Sequence, residues 1–329
     1  MQRRLFQLMI VTMVAVFSGC AGGPPAAGRS GTATGLTRGA AQQIIAVIPA
    51  ELDSPFSREL RAGAERAAAD AGASLIWTPP VGRSVDEQSA MIDELVQLPV
   101  TAIIIEPADP TALNRAIDRA VAAGVSVVTV VRDAPGSRRR LFVGVTEYQL
   151  GREAGAQFSH HVEGMPSPVD VVVLVVALDD PVSSERLRGI RSALEGTNVR
   201  IARVVEGGEG PEIASAAVER YLVVDPGVDG WILVSPWALM ATTPVTTAFQ
   251  ELRDRGGFVV GMETWYPLLD RIDDGSVDTL VGRDYAAIAT AAVEAIAGGA
   301  TTTAVPSAGR EIINRANLAA RRVEKQPWR

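Results

Sequence analysis

From residue 44 onward the chain alternates short apolar runs rich in β-branched residues with amphipathic stretches of helical period. That alternation restricts the fold more than any other feature of the sequence. Ile44-Ile45-Ala46-Val47-Ile48 is apolar throughout and is followed by a helical period over 57–71. Residues 74–77 precede a helix over 85–98, residues 102–105 precede one over 111–123, and 125–131 closes the series. A strand that is apolar at every position is buried on both faces, as in a parallel sheet covered by helices. Right-handed crossovers then make the sheet doubly wound. A second series starts near Leu141, with strands at 170–176, 200–205, 230–235 and 258–262. Its helices fall at 148–162, 184–194, 212–222 and 237–255, and Pro244 should kink or restart the last of them. Residues 279–282 and 285–296 add one more strand–helix unit. Two such series, of roughly 100–140 residues each, predict two α/β lobes with a cleft between them. Ligands in such sheets bind beyond the carboxyl ends of the strands, so the loops after each strand are where function is expected.

The first twenty residues address the compartment. Arg3 and Arg4 precede a mostly apolar run from Leu5 to Phe17, and Phe17-Ser18-Gly19-Cys20 follows. This is the three-part pattern of an export signal, too short to span a bilayer permanently. Cys20 is the only cysteine, and its setting resembles the lipobox of bacterial lipoproteins, in which the acylated cysteine becomes the first mature residue. The resemblance implies a signal peptide over 1–19 and a lipid on Cys20. Residues 20–43, rich in Gly, Ala, Pro, Ser and Thr, lack apolar periodicity and predict a flexible tether. No later stretch is apolar enough to be a second membrane segment, so the lipid on Cys20 is the expected membrane contact.

Charge excludes several classes of function. The formal net charge is −7, and loss of Arg3 and Arg4 with the signal makes it −9, which argues against nucleic acid as a partner. Lys325 is the only lysine, which removes Schiff-base chemistry. The adjacent His160 and His161 are the only histidines, and neighbours on a helix point about 100° apart, so they do not form one metal site. No nucleophile elbow, phosphate loop or dinucleotide fingerprint follows a strand. Asp179-Asp180 and Asp273-Asp274 read as solvated turns rather than an acid–base pair. Neither an enzyme nor a cofactor or metal is expected.

Several strand ends, in order, resemble those of ribose-type periplasmic binding proteins. Leu52-Asp53-Ser54-Pro55-Phe56 resembles their N-N-P-F-F turn, and Ile104-Ile105-Glu106-Pro107-Ala108-Asp109 their I-N-P-x-D. Thr129-Val130-Val131-Arg132 stands for T-x-D-R, Arg186-Leu187-Arg188-Gly189-Ile190 for R-x-x-G-F, and Val260-Gly261-Met262-Glu263 for V-G-F-D. The resemblance runs from about residue 44 to about residue 315. It implies two doubly wound lobes joined by three crossing strands, closing on a small ligand as on a hinge. The crossings are expected near Val145, Arg283 and Ile312. The N-terminal lobe would then be 44–145 plus 284–311, and the C-terminal lobe 146–283 plus 312–329.

The same resemblance places candidate ligand-binding residues. Phe56 would stack on a sugar ring, and Ser54 would donate to a hydroxyl or cap the first helix. Arg132 and Arg186 stand where the family's sugar-binding arginines lie, and Glu263 keeps the acid at the end of its strand. Departures are Val131 for an aspartate, with Asp133 able to reach in from the next loop; Ser235-Pro236-Trp237 for an Asn-Asp pair; Arg283 for Gln; and Thr146-Glu147 for Asp-Asn. Trp237, Trp265 and Tyr266 are further stacking candidates on the C-terminal lobe. Three arginines around one pocket need carboxylates or an anionic ligand to answer them. Two readings stay open: an anionic sugar-like ligand, or a neutral sugar with Arg283 paired to Glu263 or Asp284. The expected function is a lipid-anchored, monomeric solute receptor that presents its liganded form to an ABC permease. The alternative is a sensor for a membrane histidine kinase or chemoreceptor. A repressor sharing this fold is disfavoured by the export signal.

Overall fold

The computed structural model describes residues 43–166, 168–241, 245–299, 304–306 and 308–325. Cys20, the signal, nearly all of the tether, and Pro244 lie outside the described residues. Among the described residues, no helix is long and apolar enough to cross a membrane.

The first lobe runs β1 (Ile44–Ile48), α1 (Pro55–Asp70), β2 (Ser74–Trp77), α2 (Val85–Val96), β3 (Ala102–Ile105), α3 (Asn114–Ala122), β4 (Ser126–Val130) and β5 (Leu141–Gly144). The second runs α4 (Glu147–His161), β6 (Val169–Val175), α5 (Pro181–Leu194), β7 (Val199–Glu206), α6 (Pro211–Val224), β8 (Gly230–Leu233), α7 (Trp237–Met240), α8 (Val245–Asp254) and β9 (Phe258–Met262). A 3-10 turn (Tyr266–Leu269), the short α9 (Asp270–Asp273) and β10 (Thr279–Arg283) complete it. The chain then supplies α10 (Tyr285–Ala297) and β11 (Ala304–Pro306) to the first lobe, and β12 (Arg310–Asn314) and α11 (Leu318–Lys325) to the second.

Each lobe is built on one six-stranded sheet, in the orders β2-β1-β3-β4-β5-β11 and β7-β6-β8-β9-β10-β12. The sheets are parallel except at one edge, where β12 runs antiparallel to β10. That exception follows from connectivity: β10 leaves its sheet to start α10, and β12 re-enters the same sheet alongside it. Apolar residues fill both faces of each sheet. Ile45, Val47, Ile104 and Val128 face α1 and α10, whereas Ala46, Ile48, Ile103 and Ile105 face α2 and α3. The second sheet is split likewise, with Trp231 and Phe249 on one face and Phe158 and Ile190 on the other.

Five helices start within eight residues of a strand end, and their caps are written in the sequence. Ser54, Ser84, Thr146, Asp180 and Asp284 each accept a backbone N–H of the first turn. Pro55 and Pro181 occupy first-turn positions where no N–H is needed. The strand-end loops therefore stay short, and the first residues of each helix are delivered to the carboxyl edge of the sheet.

Candidate functional site

The polar centre of the site depends on how closely α4 and α5 can approach. A Cβ added to Gly151 would lie 1.9 Å from the Arg186 carbonyl oxygen, and one added to Gly189 would lie 2.1 Å from that of Tyr148. Only glycine tolerates such spacing. Gly189 of the Arg186–Ile190 segment thus sets the helices in contact, and Arg186, one turn earlier, is carried to the strand ends.

There the Arg186 guanidinium donates from Nε to Glu147 Oε2 at 2.7 Å, from Nη2 to Glu263 Oε1 at 2.6 Å, and from Nη1 to the Val234 carbonyl at 2.7 Å. Arg283, at the end of β10, donates to Glu147 Oε1 at 2.6 Å and to the Val145 carbonyl at 3.1 Å. Two guanidiniums and two carboxylates form one chain of charge, and Arg186, Glu263 and Arg283 are all under 9% exposed. Burial would push the Glu147 carboxyl up, but Arg283 and Arg186 outweigh it and hold that carboxyl down at about 2. Burial opposes the charge on Arg186, and Glu263 and Glu147 overcome it, so the guanidinium stays firmly protonated.

Of the two readings left open by the sequence, the neutral-sugar one paired Arg283 differently. Arg283 is held by Glu147, not by Glu263 or Asp284. Asp284 is engaged as the cap of α10, accepting the Ala287 N–H at 2.8 Å. Asp133 does not reach the network either. Its oxygens take Arg139, the Thr129 hydroxyl at 2.9 Å and the Ala134 N–H at 2.7 Å, which braces the β4–β5 loop.

Across the cleft the first lobe contributes a different surface. The Phe56 ring lies 5.0 Å from Trp265 of the second lobe and 4.9 Å from Tyr285 at the start of α10, centroid to centroid. Ser54 accepts the Ser57 N–H at 3.1 Å, so it caps α1, two residues before Phe56. Arg132 Nη1 donates to the Ala108 carbonyl at 2.7 Å, and among the described residues no carboxylate lies within salt-bridge distance of it. Ser235 is buried beyond β8, and Trp237 opens α7 and packs against the second lobe's core. Neither joins the four-residue charge chain.

Val131 and Glu263 are the only described non-glycine residues at positive φ, +62° and +82°. Each is the first residue past its strand, β4 in one lobe and β9 in the other. Such conformations are costly and cluster at binding sites.

Several residues here were not singled out from sequence. Glu106, buried at the end of β3, has its carboxyl pushed up by burial against the pull of Arg83 and Arg132. It stands where the family resemblance reads Asn, and that departure was the available signal. Gln88 ties the strand-end loops together by donating to the carbonyls of Pro49 and Glu106 and accepting the Ala108 N–H. Tyr285 follows Arg283 by two residues, yet a tyrosine opening an alanine-rich helix carries no pattern of its own. Among the described residues, no group of three or more His, Cys, Asp or Glu is placed to hold a metal ion.

Residues 45–300 match the family described as periplasmic binding protein domain. Over 105 residues the chain is 31% identical to the ribose import binding protein of Bacillus subtilis (strain 168), a match spanning 32% of this chain and 34% of that relative. Among solved structures, an arabinose binding protein from Geobacillus stearothermophilus superposes with a TM-score of 0.71 at 18% identity, covering 85% of this chain and 99% of that one. A periplasmic ribose ABC transporter structure from Conexibacter woesei DSM 14684 gives a TM-score of 0.73 at 16% identity, covering 85% and 94%. At those identities the structural likeness establishes the fold, while the family match spans most of the sequence. With two doubly wound lobes and a cleft at their strand ends, the chain belongs to the periplasmic binding protein family, a family of binding proteins and not of enzymes.

Proposed function

We propose that the protein is the solute-binding component of an ABC importer, exported and anchored by a lipid on Cys20, and that it takes an uncharged sugar or sugar-like molecule. The observation that carries the ligand class is the internal pairing of Arg186 and Arg283 with Glu147 and Glu263. Because Arg186 and Arg283 are already answered, an anionic ligand directed at them would have to displace a carboxylate it cannot better. A polyol instead uses the lone pairs left on both glutamates and the spare N–H groups of Arg132. Phe56, Trp265 and Tyr285 offer ring faces to the apolar side of a sugar. The relative named for ribose import and the neighbour named for arabinose binding support the same class.

Thermal unfolding in the presence of a panel of neutral sugars, sugar acids and sugar phosphates tests this reading. A ligand at about 100 times its Kd adds about 2.7 kcal/mol. Neutral sugars alone should raise the midpoint, and a rise confined to anionic compounds would overturn the assignment. Uptake of the labelled sugar in a strain lacking the gene separates import from the sensory alternative: lost uptake means import. Cys20→Ser should release the protein from the membrane fraction, and retention there would refute the anchor.

A further inference from the structure

The chain has 31 Lys and Arg residues, and Lys325 is its only lysine. That lysine is buried at 5% exposure, between two acids borne by different lobes. Its Nζ lies 3.3 Å from Oε1 and 3.5 Å from Oε2 of Glu59 on α1. The same Nζ lies 2.8 Å from Oε2 of Glu311 on β12. The α1 helix covers the first sheet, β12 belongs to the second, and α11 packs on β12 and the 3-10 turn of the second lobe. The ammonium is therefore carried by one lobe and grips the other. It also helps line, with Phe56, Glu59, Thr264, Trp265, Arg283 and Tyr285, a cavity of about 10 Å³, room for about one water. A compact ammonium, with three donors on one nitrogen, meets both carboxylates from a single atom.

We propose that Lys325 is an inter-lobe latch: the C-terminal helix reaches across the cleft to hold α1, and the charge state of Glu59 decides whether the latch pulls the lobes together.

The electrostatics follow from counting. With all three groups ionised, the shut arrangement buries a net charge of one negative unit, which is costly. Asp284, at the start of α10, adds to that burden, Arg321 lies 3.9 Å from Glu311 on its other side, and Arg283 and Tyr285 border the cavity. Protonating one acid removes the excess. Burial, against the pull of Lys325, pushes the Glu59 carboxyl up to about 7. In an open cleft Glu59 meets water and returns to the ordinary carboxylate range. A shut cleft therefore binds more protons than an open one between about pH 4.5 and about 7. Closure is favoured on the acid side of that window, and the advantage is lost as pH rises through about 7. The latch stands on the fold and not on the identity of the ligand, so the sugar panel and the latch can fail independently.

Small-angle X-ray scattering of the unliganded protein at pH 5.5 and pH 8 tests the latch, with far-ultraviolet circular dichroism to verify folding. The wild type should be more compact at pH 5.5, with a closed-to-open ratio greater by roughly tenfold or more than at pH 8. Glu59→Gln, which mimics the protonated acid, should be compact at both. Lys325→Met keeps the stem but leaves Glu59 facing Glu311, and should be extended at both. If Lys325→Met does not fold, Glu59→Gln alone decides. Dimensions and pH response in Glu59→Gln indistinguishable from the wild type would overturn the latch.

Discussion

The two lobes share a topology, yet they furnish the cleft with opposite materials. On the second lobe, close contact of α4 and α5 at Gly151 and Gly189 delivers Glu147 and Arg186 into a fixed, ion-paired wall. On the first, an equally close contact of α1 and α10 at Gly63, whose added Cβ would lie 2.2 Å from the Ala286 carbonyl oxygen, delivers Phe56 and Tyr285 as adjoining rings. The difference is sharpest past β4 and β9. Both strands end in a left-handed residue, but one is Glu263, bonded to Arg186, and the other is Val131, which packs against apolar neighbours. The same backbone device is used once to aim a charge and once to place an apolar surface. Hydrogen-bonding specificity is thus preorganised on one wall, while the facing wall supplies a stacking platform.

The largest effect should come from unpairing the charged wall. Arg186→Met leaves Glu263 buried without its partner and half-buried Glu147 with Arg283 alone, and should cost about 3–5 kcal/mol in chemical denaturation, with loss of ligand binding. On the facing wall, Arg132→Met removes hydrogen bonds to backbone carbonyls and should cost about 1–2 kcal/mol. Equal costs at the two positions would break the comparison.

Acid should act next, and on the charged wall. The folded-state carboxyl of Glu147 sits at about 2, below its ordinary value. Its stabilisation is therefore present above about pH 4.5 and is lost as pH falls toward about 2, on the order of 3 kcal/mol in full. Hydrogen exchange during acidification should show α4 and α5 loosening before α1 and α10. A Glu147→Gln variant should start less stable and lose less over the same range.

The smallest effect concerns the strained turn of the apolar wall. Val131→Gly relieves a β-branched residue at φ +62° and should stabilise the protein by about 1 kcal/mol. Glu263→Gly relieves comparable strain but removes a partner of Arg186, so it should destabilise. Opposite signs in the two thermal midpoints would sharpen the contrast, and two stabilising changes would dissolve it.

Much of the fold was legible because each layer repeats a simple pattern. Strands β2, β3 and β9 fall where continuous apolar runs place them, and most helices begin within three residues of their expected start. The last helix of the second series is two, α7 ending at Met240 and α8 starting at Val245, while Pro244 itself lies outside the described residues. The short α9, the 3-10 turn and α11 were not read: the first two are four residues each, and α11 is polar on most of its surface. Arg186, Glu147, Glu263 and Arg283 were all named as candidates, whereas their pairing was not, because partners 39 to 136 residues apart are chosen by packing. The partner of Asp133 was hidden for a related reason: its carboxylate is held by Arg139, six residues away across the same loop.

The contact of Phe56 with Trp265 has a practical corollary. Because it joins the two lobes through an indole, the protein carries an optical gauge of its own aperture. Prising the lobes apart would take Trp265 off the Phe56 ring into water and move its emission to longer wavelength. Trp231, sealed in the second lobe's core at 0% exposure, would supply a steady internal standard. Opening and shutting could be followed in real time with no label attached.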